Sequence, residues 1–391
     1  MKRKIVVAIS VILPCHTAFA APYQPGNDAQ ILERLPAASR FENQELRQLR
    51  KQMAAGPART ELAVDLAERY IARGKADADP RYYGYAEGLL KSWQQIQEPP
   101  PKVLLLSALI KQHRHDFGGA LQDLDSLLRR QPENAQGWLT RAIILLVQAR
   151  YAEALQSCAP LIDLDDALLA GTCLAQVNSL IGHAQKSYDF LQEALADQSA
   201  ANAEQRQWTL TVLADIAARL GKILDAEKHF SEAIGIEHPN IYLFGAYADF
   251  LLDQHQPEKV LALLQDKSRI DALFLRIALA KQQLAASDLD QVTEELEARF
   301  AASRMRGENL HQGDEARFTL HLLNKPGEAL RLAEANWQAQ REPKDARILL
   351  AAAVAAHAAE AAKPVLDLLS ATGMEHPQLR QLAAQIRQMQ R

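Results

Sequence analysis

The chain has 391 residues, with 44 basic side chains against 48 acidic ones and a formal net charge of −4. This mild acidity argues against a nucleic-acid binder, which carries a basic stripe to neutralise phosphates. Aromatic residues make up only 6%, while Ala, Leu and Gln dominate; these are strong helix formers, and alternating β-branched runs are nearly absent after the N-terminus.

The chain opens with Lys2, Arg3 and Lys4, an apolar run from Ile5 to Leu13, Pro14, and then Ala18, Phe19 and Ala20. A basic start, a short apolar stretch and small residues at alternate positions predict a secretory leader over residues 1–20, cleaved after Ala20. The run is too short to span a membrane, which takes roughly 20 apolar residues, and no later segment is apolar all round for that length. Cys15 offers a rival reading as a lipid anchor, but the bulky Pro14 precedes it where a lipoprotein signal wants a small residue. The expected location is the periplasm, and loss of the leader leaves the mature chain more acidic still.

Residues 21–58 carry Pro22, Pro25, Pro36 and Pro57 and predict an extended lead-in with one short helix from Asn43 to Met53. From residue 59 a repeat sets in. Ala108 and Ala142, Phe117 and Tyr151, and Ala120 and Ala154 repeat a residue type at an offset of 34 positions. Such a period marks a solenoid of stacked helix pairs, each too small to bury its own apolar face. The unit beginning near Asn134 is the clearest, with Trp138, Ala142, Leu145, Tyr151, Ala154, Cys158 and Leu161 in phase. Small residues at Ala142 and Ala154 let two antiparallel helices cross closely while bulky ones fill the wedge beside them.

This order of large, small, aromatic and small residues resembles the tetratricopeptide repeat. The resemblance implies an all-α, right-handed superhelical solenoid of antiparallel helix pairs, about nine of them, over residues 59–373. One unit earlier, Leu104, Ala108, Phe117, Ala120, Leu124 and Leu127 hold the same places, and Pro132 ends the second helix. The small residue recurs at Ala175, Ala214 and Ala248, with Gly182 and Gly221 at inter-helix turns. The front unit is looser, and Lys75 to Arg81 predicts a lengthened turn. Its segment from Asp79 to Ala86 is similar to the opening repeat of a group of periplasmic bacterial repeat proteins, a likeness that carries no activity. Residues 270–312 read as helical but out of register, with Arg304, Arg306 and Glu308 in a longer loop. Register returns at Ala329 and Ala362, Pro343 and Pro364 mark helix starts, and 374–391 reads as a polar capping helix.

Catalytic constellations are missing from the sequence: there is no G-x-S-x-G elbow, phosphate loop or H-E-x-x-H pair, so no catalytic, metal or cofactor residues are assigned. His113 and His115 point apart on a helix and read as solvated turn residues. The mature chain would keep two cysteines, Cys158 and Cys173, on helices that pack side by side. A disulfide is the natural expectation in an oxidising compartment, with two buried thiols as the alternative.

The resemblance further implies that the first helices of the pairs line a concave groove that holds an extended peptide or a partner helix. By register this row exposes Gln136, Gln176, Trp208, Thr211, Asp215, Arg219, Tyr242 and Asp249, together with Gln112, His113, Leu139, Thr172 and Asp253. Trp208 and Tyr242 stand out, since a groove aromatic has no packing duty. The Lys, Asn and Arg positions of a carboxylate clamp for chaperone tails are absent. The leading expectation is therefore a non-catalytic periplasmic scaffold that binds a protein or peptide partner, without nucleic acid or an integral membrane segment, in assembly of an envelope or respiratory complex. The alternatives are a component of a polysaccharide export or outer-membrane assembly machine, and an enzyme whose site is not legible.

Overall fold

The computed structural model describes residues 39–54, 60–93, 96–164, 167–197, 202–305 and 312–390. The expected leader, with Cys15, and most of the lead-in lie outside them. Two units are distinguished, Met1–Gln52 and Met53–Arg391. In the first, the described structure is one helix, α1 (Ser39–Ala54), which spans the segment expected to be helical.

The second unit is a succession of helix pairs. In chain order they are α2 (Thr60–Asp77) with α3 (Arg81–Leu90), α4 (Pro101–His113) with α5 (Phe117–Arg130), and α6 (Ala135–Val147) with α7 (Tyr151–Cys158) and its short continuation α8 (Pro160–Asp163). Then come α9 (Ala167–Asn178) with α10 (Ala184–Asp197), α11 (Ala203–Arg219) with α12 (Ile223–Ile234), and α13 (Ile241–Asp253) with α14 (Pro257–Leu263). The last are α15 (Asp271–Gln283) with α16 (Leu289–Met305), α17 (Gln312–His321) with α18 (Pro326–Ala339), and α19 (Pro343–Ala355) with α20 (Lys363–Thr372), followed by α21 (Pro377–Met389).

One backbone device bends each pair. Ala78, His115, Ala149, Gly182, Gly221, His255, Ala285, Asn324 and His357 all take positive φ between the two helices of a pair. At several of these turns the N–H just after the left-handed residue donates to a carbonyl five residues back, as in Arg150 to Leu145 at 2.8 Å and Lys222 to Ala217 at 2.9 Å. This is the Schellman closure, which satisfies carbonyls the helix end would otherwise orphan. Three of the first helices, α6, α11 and α13, start on asparagine caps: Asn134, Asn202 and Asn240 accept from the N–H of Gly137, Gln205 and Leu243 at 2.8, 2.9 and 2.9 Å. The crossing alanines at 108, 142, 175, 214 and 248 are 2% exposed or less, so backbones do meet where small residues permit it.

Two stretches differ from the sequence reading. Helix α2 runs through Asp77, so Lys75–Asp77 belong to the helix and the turn before α3 is short. Residues 270–305 form a helix pair with its own left-handed turn at Ala285. Short α14 brings that turn early and long α16 delays the next, so the two slips nearly cancel. Arg304 lies in the last turn of α16, paired with Glu315, rather than in a loop; Arg306 and Glu308 lie outside the described residues.

The last pairs return onto the third and fourth. One apolar cluster joins residues between Ala142 and Leu180 to residues between Ala316 and Ile386. The Arg341 N–H donates to the Val147 carbonyl at 2.7 Å, and Glu375 accepts the Ala184 N–H at 2.8 Å. A Cβ on Gly182 would stand 3.4 Å from the Thr372 carbonyl, so this glycine serves both its positive φ and the close approach. Helix α21 buries Leu379, Ala383 and Ile386; it is amphipathic, with an apolar face that the sequence reading of a polar cap passed over.

Cys158 and Cys173 are bonded, their Cα atoms 5.7 Å apart and both side chains buried. The bond ties α7 to α9 inside the cluster that receives the C-terminal pairs. Closing a loop of this size stabilises by about 3 kcal/mol in the chain-entropy model. The Cys158→Ser/Cys173→Ser chain should therefore unfold at lower urea concentration, with a loss of about that size. An unchanged midpoint would show that the bond contributes nothing.

Candidate partner-binding groove

The first helices of the pairs present one face inward, and polar side chains collect there. On α13, Asp249 and Asp253 stand one turn apart and are both met by arginines. Asp249 pairs with Arg276 of α15 at 2.8 Å and with Arg317 of α17 at 2.5 Å, and Arg276 also reaches Asp314 at 3.0 Å. Arg347 of α19 grips Asp253 through two bonds of 2.6 and 2.8 Å. Helices α13 and α19 are separated by two further first helices in the stack, so a direct bond between them means that the inner face curls shut at this level. Burial alone would raise the Asp249 carboxyl, but Arg276 and Arg317 together hold it well below the usual carboxylate range.

A different set lies one helix earlier. Tyr242, at the start of α13, keeps 50% of its surface accessible. Its hydroxyl donates to Asp215 of α11 at 3.2 Å. Among the described residues Asp215 has no ion-pair partner. Arg219, one turn on, is instead turned onto Ser179, giving bonds of 2.7 Å to its carbonyl and 2.7 Å to its hydroxyl. Burial pushes the Asp215 carboxyl up to about 6, although Arg219 and Lys344 lie close enough to oppose it. The Asp215 charge, with burial, in turn lifts the Tyr242 phenol well above its ordinary value. From the C-terminal side, the Lys344 ammonium sits 5.9 Å from the centre of the Tyr242 ring and 3.0 Å from Glu342. His376, just before α21, is lowered to about 4 by burial and by Arg219 and Arg347.

The structure thus brings together Asp215, Arg219 and Tyr242, whereas Asp249 belongs to the separate arginine-paired set. Gln136 is exposed on α6 and Gln176 partly buried on α9. Two expectations change. Thr211 is buried and its hydroxyl donates to the Gln207 carbonyl at 2.7 Å, because the crossing of α11 turns that position into the core. Trp208 has a packing duty after all: it lies partly buried against both large apolar clusters. Thr172 is likewise buried, bonded to Thr209 at 2.8 Å. His113 stacks on Tyr83 at 3.6 Å and His115 on Phe117 at 5.4 Å, and among the described residues no group of His, Cys, Asp or Glu could hold a metal ion. Sequence reasoning missed Arg317, Glu342, Lys344 and Arg347, since nothing local signals that α17 and α19 face α13.

The architecture defines the class: among the described residues the protein is all-helical, a tetratricopeptide-like solenoid of helix pairs. No family model matches the chain. No curated protein matches it either. Among solved structures it is similar to a tetratricopeptide repeat protein from Parabacteroides merdae, at 16% identity over 61% of this chain and 92% of that one, with a TM-score of 0.45. It is also similar to human IFIT1, solved as a dimer with m7Gppp-AAAA, at 14% identity over 89% of this chain and 86% of that one, with a TM-score of 0.45. A third similarity is to the APC/C hetero-tetramer Cut9-Hcn1, at 13% identity over 89% and 73%, with a TM-score of 0.41.

The raised Asp215 carboxyl carries a linkage consequence. An acid whose folded pKa lies above its unfolded value favours the folded state at low pH, and that contribution is lost as pH rises from about 4 through about 6. Asp215→Asn keeps the acceptor for Tyr242 and removes the buried charge. It should raise stability at pH 7.5 by about 1–2 kcal/mol and by much less at pH 4, read from urea unfolding at both pH values. Destabilisation at pH 7.5 would contradict the assignment.

Proposed function

We propose that this protein is an exported, non-catalytic scaffold of the periplasm that holds an extended segment of a partner protein against its inner face, in assembly of an envelope or respiratory complex. The observation that carries the reading is Tyr242: a large ring left half accessible at the start of α13, bonded to a carboxylate that has no ion-pair partner among the described residues. A large aromatic ring with accessible area is the kind of side chain that anchors interfaces. The leader-like sequence of residues 1–20 and the Cys158–Cys173 bond support an oxidising compartment. Among the described residues no helix is long and apolar enough to cross a membrane.

One observation favours a second reading, an acid–base enzyme: the Asp215 carboxyl near 6 within reach of a bound molecule. The scaffold reading is preferred because Asp215 faces a phenol held in its protonated form, and Arg219, the nearest cation on its own helix, is committed to Ser179.

Two measurements test the proposal. A photoreactive residue at Tyr242 should capture one envelope protein in cells, whereas the same group at Leu224, 83% exposed on α12, should not. Equal capture at both positions, or none at Tyr242, removes the groove from the account. Protein recovered from the periplasm should begin at Ala21; recovery only from the cytoplasm with Met1 intact would overturn the location.

A further inference from the structure

We propose that the wall formed by Tyr242 and Asp215 is a seat for a basic side chain of the partner, and that Lys344 of the chain itself occupies this seat in the closed solenoid. The inference rests on the groove reading above and adds the chemistry of what binds. It starts from a contrast between three inner carboxylates. Asp249 and Asp253 are saturated by arginines from α15, α17 and α19. Asp215 is served by a single phenol hydroxyl at 3.2 Å, and the arginine that could pair with it is turned onto Ser179. An anionic oxygen is thereby left available at the edge of an accessible aromatic face.

Those two groups together favour a cation. A ring face attracts an ammonium or guanidinium within about 6 Å of its centre, and a carboxylate beside the ring adds a charge-assisted hydrogen bond. Lys344 demonstrates the geometry from within the chain, its ammonium 5.9 Å from the ring centre. It is an incomplete occupant, because its hydrogen-bonding partner is Glu342 at 3.0 Å rather than Asp215. An incoming Lys or Arg takes both ring and carboxylate and displaces Lys344 from the ring, leaving it on Glu342. An acidic segment would meet Asp215 and Glu342 unfavourably and would find Lys344 already paired. The wall opposite lies within hydrogen-bond reach where Arg347 meets Asp253, at 2.6 Å.

The test is fluorescence anisotropy on the mature full chain with three labelled, end-capped pentapeptides: Gly-Lys-Gly-Lys-Gly, its form with both lysines acetylated, and Gly-Glu-Gly-Glu-Gly. The lysine peptide should bind, and the other two should bind at least about tenfold more weakly, as expected for loss of a cation contact and its ion pair. Tyr242→Ala and Asp215→Asn should each weaken the lysine peptide by about the same factor, Tyr242→Phe should keep most of the affinity, and Lys344→Ala should tighten it severalfold. The tightening is the result that a merely structural lysine would not give. Equal or better binding of the glutamate peptide, sensitive to Tyr242→Ala, leaves the groove standing and overturns the basic partner. Binding that Tyr242→Ala leaves unchanged overturns the groove itself. Absence of lysine-peptide binding to both the wild-type and Lys344→Ala chains, or weaker binding to the latter, overturns the seat.

Discussion

The return of the last helix pairs onto the third and fourth is the constraint on which the rest of this protein depends. An open solenoid stabilises each repeat only through its two neighbours. Here the backbone bond from Arg341 to Val147, the Glu375 carboxylate on Ala184 and the cluster shared by residues near 142–180 and 316–386 join segments far apart in the chain. The disulfide between Cys158 and Cys173 lies inside the receiving segment. It fixes the two helices whose turns the C-terminal pairs contact, so a covalent restraint that looks local also holds the surface on which closure is built.

Closure decides what the inner face can be. In an open groove Asp249 and Asp253 would be solvated acids, and they would attract partners as such. Once α15, α17 and α19 curl round, arginines meet both, and the desolvated charges are offset by direct pairing. Arginine suits the task because its fork can satisfy several acceptors at once: Arg276 serves Asp249, Asp314 and the Ala272 carbonyl. The interaction that shuts the groove thus also consumes its most acidic part. What remains available moves one helix back, to Tyr242 and Asp215.

The local content of the fold was legible because it rests on short-range rules. Small residues at 142, 154, 214 and 248 had to be crossing points, Gly182 and Gly221 had to be turns, and two cysteines on neighbouring helices stood within bonding reach. The illegible part is non-local. Among the described residues, seven of the nine left-handed turns within helix pairs use Ala, His or Asn, where no glycine marks them, and so the sequence reads as out of register over 270–312. Curvature accumulates from small rotations at each crossing, and no single residue states the sum. Register alone therefore puts Trp208 and Thr211 on a free surface, whereas packing takes them up, and nothing in the sequence near Lys344 and Arg347 signals that they face α13.

Asp215 shows why such a site is worth locating by physics. A carboxyl whose burial raises it to about 6 is a charge the fold holds at a cost, since the neutral amide of the same shape would satisfy Tyr242 equally well. Sequences that keep a group against their own stability tend to do so where binding or chemistry needs it. The arrangement around Asp215 has the same sense: the nearest arginine is turned aside onto Ser179, and the nearest lysine is kept on Glu342. Two cations stand within electrostatic reach and neither closes the pair. With both cations committed elsewhere, Asp215 keeps an open place for a counter-charge, which is the role the proposed basic partner fills.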